Sequence, residues 1–145
     1  MRSWDQSHFD ELCWHDVHVH GISIRASRHG SGELVLDIDY IVEWPCQPDG
    51  TGRFRVAPAT LTFHDVYDLV MDLDYAKAQA AIVPFSIDGI QREPLDRPNV
   101  GFRWRIPVNW PTGSISFTAS GFTQVLRPEP IETDEMHLDP SQRGL

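Results

Sequence analysis

A chain of 145 residues has room for one domain and buries a core large enough to need no metal or disulfide staple. Its 41% hydrophobic content and mean hydropathy of −0.32 are those of an ordinary soluble protein. A formal charge of −9, taken as a uniform coat, repels phosphate and argues against general nucleic-acid or anionic-membrane binding.

Met1 is followed by no apolar stretch of leader length, and the uncharged run Ala78 to Ser86 is far shorter than the ~20 residues of a membrane helix. The expectation is a cytoplasmic protein without a membrane partner. Cys13 and Cys46 form no CxxC and read as reduced, partly buried thiols, with a disulfide between them left open.

Residues 1–13 carry a helical signal: Ser3 suits a cap, Asp5 the first turn, and Trp4, His8 and Leu12 recur every fourth position. From Val17 the period becomes two. Val17 and Val19 give way to Ile22 and Ile24 at Gly21, a change of parity that a β-bulge produces. From Glu33 to Trp44, Leu34, Leu36, Ile38, Tyr40, Val42 and Trp44 share one face. Val35, Asp37, Asp39, Ile41 and Glu43 share the other, so the strand has one dry side and one wet.

Pro45 to Gly52 is a loop. Between Ala57 and Tyr75 every odd position except Asp65 is apolar, a length that calls for two strands or one sharply bent near His64-Asp65. Val83 to Ile87 ends in Asp88-Gly89, a candidate hairpin turn. After the loop Pro94 to Gly101, Phe102 to Trp110 alternates, as does Ile115 to Ala119, and Gly121 again reverses the parity before Phe122 and Leu126. Trp44, Trp104 and Trp110 fall on apolar strand faces as core residues, while Trp4 and Trp14 dock the N-terminal helix. The fold class is mainly β, α+β at most: an antiparallel β-sandwich or open barrel of about seven or eight strands with a short N-terminal helix. Residues 1–127 form this single domain, and 128–145 read as an acidic, proline-containing, mobile tail.

Leu34-Val-Leu-Asp-Ile-Asp-Tyr40 is echoed by Leu69-Val-Met-Asp-Leu-Asp-Tyr75. His15-Asp16-Val17 and His64-Asp65-Val66 also match, at a different offset, so no tandem repeat follows. Similar strands of one sheet, solving the same burial problem, are the leading explanation of the echo, with a true duplication as the alternative.

Histidines at i and i+2 on a strand project from one face, so His18 and His20 lie together on the wet side. With Asp37 and Asp39 on a neighbouring strand they form a two-histidine, carboxylate set suited to a divalent metal such as zinc. Set against this is a plain solvated face with no cofactor. Asp37/Asp39 and Asp72/Asp74 would act as acid and base only if their environments separated their pKa values, which a wet face does not do. No nucleophile elbow or phosphate-cradling glycine loop occurs, so no catalytic residue is assigned.

The runs Trp14-His-Asp, Glu33 to Trp44, Val56 to Phe63, Val66-Tyr-Asp-Leu69 and Ile115 to Phe122 resemble small, single-domain, β-rich bacterial families of unassigned function. Several such acidic families are similar to immunity proteins of polymorphic toxin systems. The resemblance implies a β-rich domain with one cognate protein partner, a toxin, and it brings no catalytic residue.

Split along the chain, the charge is two-sided. Residues 33–74 hold nine carboxylates against Arg53 and Arg55, a net −7. Residues 75–127 hold Lys77, Arg92, Arg97, Arg103, Arg105 and Arg127 against Asp88, Glu93 and Asp96, a net +3. The leading expectation is a non-enzymatic protein-interaction module whose acidic row Asp37, Asp39, Glu43, Asp68, Asp72 and Asp74 meets a basic protein. The alternatives are the metal-dependent enzyme or binder on His18 and His20 and a barrel holding an apolar ligand. An exposed edge strand would allow a homodimer, and nucleic acid is disfavoured, though less so for the later strands.

Overall fold

The computed structural model describes residues 2–27, 30–45, 52–96, 101–126 and 129–144. In these, alternating apolar residues build ten antiparallel strands of one sheet: β1 (Arg2–Asp5), β2 (His18–Ala26), β3 (Gly32–Glu43), β4 (Phe54–Leu73), β5 (Phe85–Ile87), β6 (Gln91–Pro94), β7 (Phe102–Trp110), β8 (Gly113–Ala119), β9 (Gly121–Leu126) and β10 (Ile131–Thr133). The ladders run β2–β3–β4–β8–β7–β5. Through His18–Ser86 and Val19–Phe85 they return to β2, so the sheet closes on itself as a barrel. Among the described residues no helix is long and apolar enough to cross a membrane.

β4 makes this closure possible. Its residues Asp65 and Asp68 take positive φ values of 54° and 55°, a conformation that aspartate tolerates better than most side chains. Before this bend β4 pairs with β3 on one edge and with β9 and β10 on the other. Beyond it, Tyr67 to Leu73 pair with β8. The single bent strand is therefore the correct one of the two sequence readings. Both glycine parity changes are also present. The β2–β3 register slips between Val19 and Gly21, and Ala119 and Phe122 are both buried on either side of Ser120 and Gly121.

Inside the barrel Trp104, Phe63, Phe117, Leu34, Leu36, Ile38, Leu61 and Ile106 are all but fully buried, each worth about 1.5–3 kcal/mol when taken from water. Phe63 centres the aromatic packing, 4.7 Å from the Phe117 ring and 5.3 Å from Trp104. Trp14 joins the same core and donates from Nε1 to Gln124 Oε1 at 2.8 Å.

Several expectations need correcting. The N-terminal stretch is not a helix over 1–13. Arg2–Asp5 fills the free edge of β9, and a 3₁₀ turn follows at Gln6–Glu11, capped by Asp5 rather than Ser3. Sheet pairing offers this segment a full ladder, which outweighs a helical period carried by only three residues. Trp44 and Trp110 are 36% and 40% exposed, because Trp44 follows the end of β3 and Trp110 ends β7, outside the main core cluster. Asp88-Gly89 does not close a hairpin: β5 and β6 both pair with β7. Cys13 is an exposed free thiol, and Cys46 lies outside the described residues, as do Arg97 and Arg127.

The largest correction concerns the tail. β10 pairs with the start of β4, and Leu138 is 1% exposed in a second, smaller core with Ile41 and Val56. Ile41 and Val56 lie on the outer side of the barrel wall, and Phe54, Ile131 and Met136 complete their cover. Residues 131–144 are thus docked on the barrel, and the wet face of β3 is half dry.

Candidate functional site

The docked segment decides what becomes of the predicted acidic row. Asp37 and Asp39 do project together from the outer face of β3, and β2 is their neighbour: His18 lies opposite Asp39. The β2 bulge at His20 turns its ring onto the same carboxylate, with Nε2 2.6 Å from Asp39 Oδ2. The structure therefore brings these four residues, grouped in the sequence as a candidate metal set, close together. What sequence reasoning missed is the cation that holds them. The Arg143 guanidinium, 4% exposed, donates to Oδ1 of Asp39 and Oδ1 of Asp37. The Leu138 N–H adds a third bond to Asp39, at 2.8 Å.

Asp39 is fully buried, yet its carboxylate accepts from an arginine and a backbone amide and faces an imidazole, which is how a buried charge is tolerated. The His18 ring lies against that of His137, centroids 4.6 Å apart and tilted by 36°. Its Nδ1 is buried without a hydrogen-bond partner. Burial and the neighbouring His137 hold the His18 imidazole below its ordinary pKa. Arg143 takes up the two carboxylates that a divalent ion would need. Among the described residues no group of three or more histidine, cysteine, aspartate or glutamate side chains is arranged to hold a metal.

Glu43 is spent in a similar way, 3.1 Å from Arg55 on the adjacent strand. Another internal pair lies at the opposite end of β3, where His64 Nδ1 meets Glu33 Oε2 at 2.8 Å and Nε2 meets Thr123. Burial raises the Glu33 carboxyl, but hydrogen bonds from His64 and Arg25 outweigh it and hold it below its ordinary range.

Asp68, Asp72 and Asp74, the rest of the row, lie beyond the β4 bend, away from Arg143. Asp68 and Asp72 are exposed; Asp74 is half-buried and accepts from the Lys77 N–H at 2.9 Å. Around them stand large exposed apolar residues: Tyr67, 60% exposed, and Met71, 41% exposed, both of which the sequence period assigned to the core, and Val70, 60% exposed. Val70, an even position, escaped the odd-numbered pattern altogether.

This end of the barrel is open. β2 pairs with β5 only at His18 and Val19, so from Gly21 to Ala26 its second edge has no strand partner among the described residues. Two apolar clefts flank that edge. One, of about 150 Å³, lies between Ile24, Leu34, Val66 and Leu69, with Asp68 in its wall. The other, of about 400 Å³, lies between Ile22, Leu73, Tyr75, Ile82 and Val83. Ile24 and Ile82 are 75% and 84% exposed. Ile22 and Ile24 are opposite the core residues Leu36 and Leu34, so both belong to the inner face of a wall that ends there. No family model, curated protein or solved structure matches the chain.

Proposed function

We propose that the protein is a non-catalytic binding module that accepts an extended segment of a cationic partner protein along the open edge of β2. The supporting observation is that edge itself, Gly21 to Ala26, lying between two apolar clefts. In strand addition the unpaired N–H and C=O groups supply affinity and clefts for alternate side chains supply specificity. Ile22 and Ile24 sit two residues apart, which matches the period of such a guest strand. Asp68 and Asp74 place negative charge beside the clefts and select a guest carrying lysine or arginine. An immunity-type inhibitor, which must cover a basic surface of its toxin, would work in this way.

Selection from a displayed random-peptide library tests the reading. Enriched peptides are expected to alternate apolar and other residues, to carry basic side chains and to bind less tightly as salt rises. Bound peptide should protect β2 amides between Gly21 and Ala26 from hydrogen exchange, and Ile24→Asp should abolish binding. Peptides that protect a different surface, or that bind the Ile24→Asp variant equally well, would overturn the proposal.

A further inference from the structure

The outer surface of β6, β7, β8 and β4 carries a second pattern, independent of the β2 edge. Cross-strand register sets its side chains in rows. Glu93, Arg103, Thr118 and Tyr67 form one row; Gln91, Arg105, Ser116 and Val70 form the next; Pro107, Ser114 and Asp72 form a third. Down the strands the same face reads as stripes: arginine on β7, hydroxyls on β8, and exposed Tyr67, Val70 and Asp72 on β4. Arg103 and Arg105 are exposed, and among the described residues neither guanidinium has a carboxylate within ion-pair reach. Asp72 is exposed and, among the described residues, has no cation within ion-pair reach.

We propose that this face is a self-association surface, on which a second copy of the chain docks about a two-fold axis running along β8. The two stripes of opposite character are separated by two strand spacings, roughly 10 Å. A uniformly cationic partner would meet Arg103 and Arg105, and a uniformly anionic one would meet Asp72. A second copy turned about the central hydroxyl stripe satisfies both at once, because a half-turn lays β7 of one copy over β4 of the other. The rows are kept by that rotation, so Arg103 faces Tyr67 of the second copy, and Arg105 faces Val70 with Asp72 beside it. Each contact is made twice, as an isologous interface requires. The short side chains of Ser114, Ser116 and Thr118 let the two faces approach along the axis. Arginine over tyrosine adds a cation–π contact, and Tyr67 and Val70 lose their exposure to water.

Sedimentation velocity of the full chain, from micromolar to near-millimolar concentration at low salt, is the test. The wild type should pass from monomer to dimer and return to monomer as salt is added. Arg105→Glu and Asp72→Arg, both at exposed positions, should each weaken association at least ~10-fold, since like charges then meet across the interface. Mixing the two variants should restore the dimer as a heterodimer, because each reversed charge then faces an opposite one. A wild type that stays monomeric overturns the proposal. So does a dimer unaffected by either variant, which would place the contact elsewhere, as on the β2 edge, or a mixture of the two that fails to recover.

Discussion

Replacing Arg143 by alanine removes the guanidinium that bridges Asp37 and Asp39, and two routes then limit the cost. If residues 131–144 stay docked, a fully buried carboxylate keeps only the Leu138 amide and His20. An orphaned buried charge of that kind costs about 3–5 kcal/mol. If the segment lifts away, Asp39 regains water, but Leu138 loses its burial against Ile41 and Val56. That loss is about 1.5–3 kcal/mol for the leucine, with about 1 kcal/mol more for its amide bond, offset by the chain entropy the freed segment recovers. The lesser route governs, so the expected loss is about 2–3 kcal/mol, which lowers Tm by about 5–10 °C for a domain of this size. Undocking should be visible as rapid hydrogen exchange at the Leu138 amide and new protease cleavage within 131–144. Adding Asp39→Asn should recover part of the loss, because no charge then remains to be solvated. The reasoning is refuted if Arg143→Ala keeps the Leu138 amide protected and melts within about 2 °C of wild type.

Two further substitutions probe the same framework. His18 is held below its ordinary value of 6.5 by burial and by His137, so the unfolded chain binds the proton more readily than the folded protein does. Stability should therefore fall as pH drops through that value, and denaturant titrations of His18→Asn between about pH 7 and pH 5 should show a flatter slope than wild type. Gly113 has φ of 135°, and a Cβ there would stand 1.8 Å from the Asp72 carbonyl oxygen. Gly113→Ala should cost about 2–3 kcal/mol in chemical denaturation by forcing β8 away from β4; a loss below about 0.5 kcal/mol would show that this turn relaxes freely.

Strand identity was legible in the sequence wherever one period held without interruption. β3, β7 and β8 follow their alternation closely, and the parity reversals at Gly21 and Gly121 mark where the wall changes direction. What failed at the N-terminus is instructive. Trp4, His8 and Leu12 do recur at helical spacing, but β9 leaves an edge open beside them, and a ladder from Arg2–Asp5 fills it. The competing partner lies more than a hundred residues away, where no local window sees it. The tail failed for a similar reason: Met136 and Leu138 are too few to announce a core element, yet they need only cover the small apolar patch of Ile41 and Val56.

The twin heptads show how far local sequence reaches and where it stops. Leu34 to Tyr40 and Leu69 to Tyr75 are nearly identical; the first lies within β3, the second runs out along the end of β4 past Leu73, and in both the odd-even pattern assigns aspartates to the outside. In the first, Leu34, Leu36, Ile38 and Tyr40 are all buried, and Asp39 disappears beneath the C-terminal segment. In the second, Met71 is 41% exposed and Asp72 is open to solvent. The difference comes from position on the barrel. β3 is flanked by β2 and β4 along its length, whereas β4 beyond its bend has β8 on one side and an opening on the other. A carboxylate on the covered strand must be neutralised by the chain itself, and Arg143 does so. On the open strand Asp72, the counterpart of Asp37, is exposed to solvent. The acidic row read from the sequence is thus divided by the fold: Asp37 and Asp39 fasten the C-terminal segment, whereas Asp68 and Asp72 stay exposed to solvent and Asp74 is half-buried.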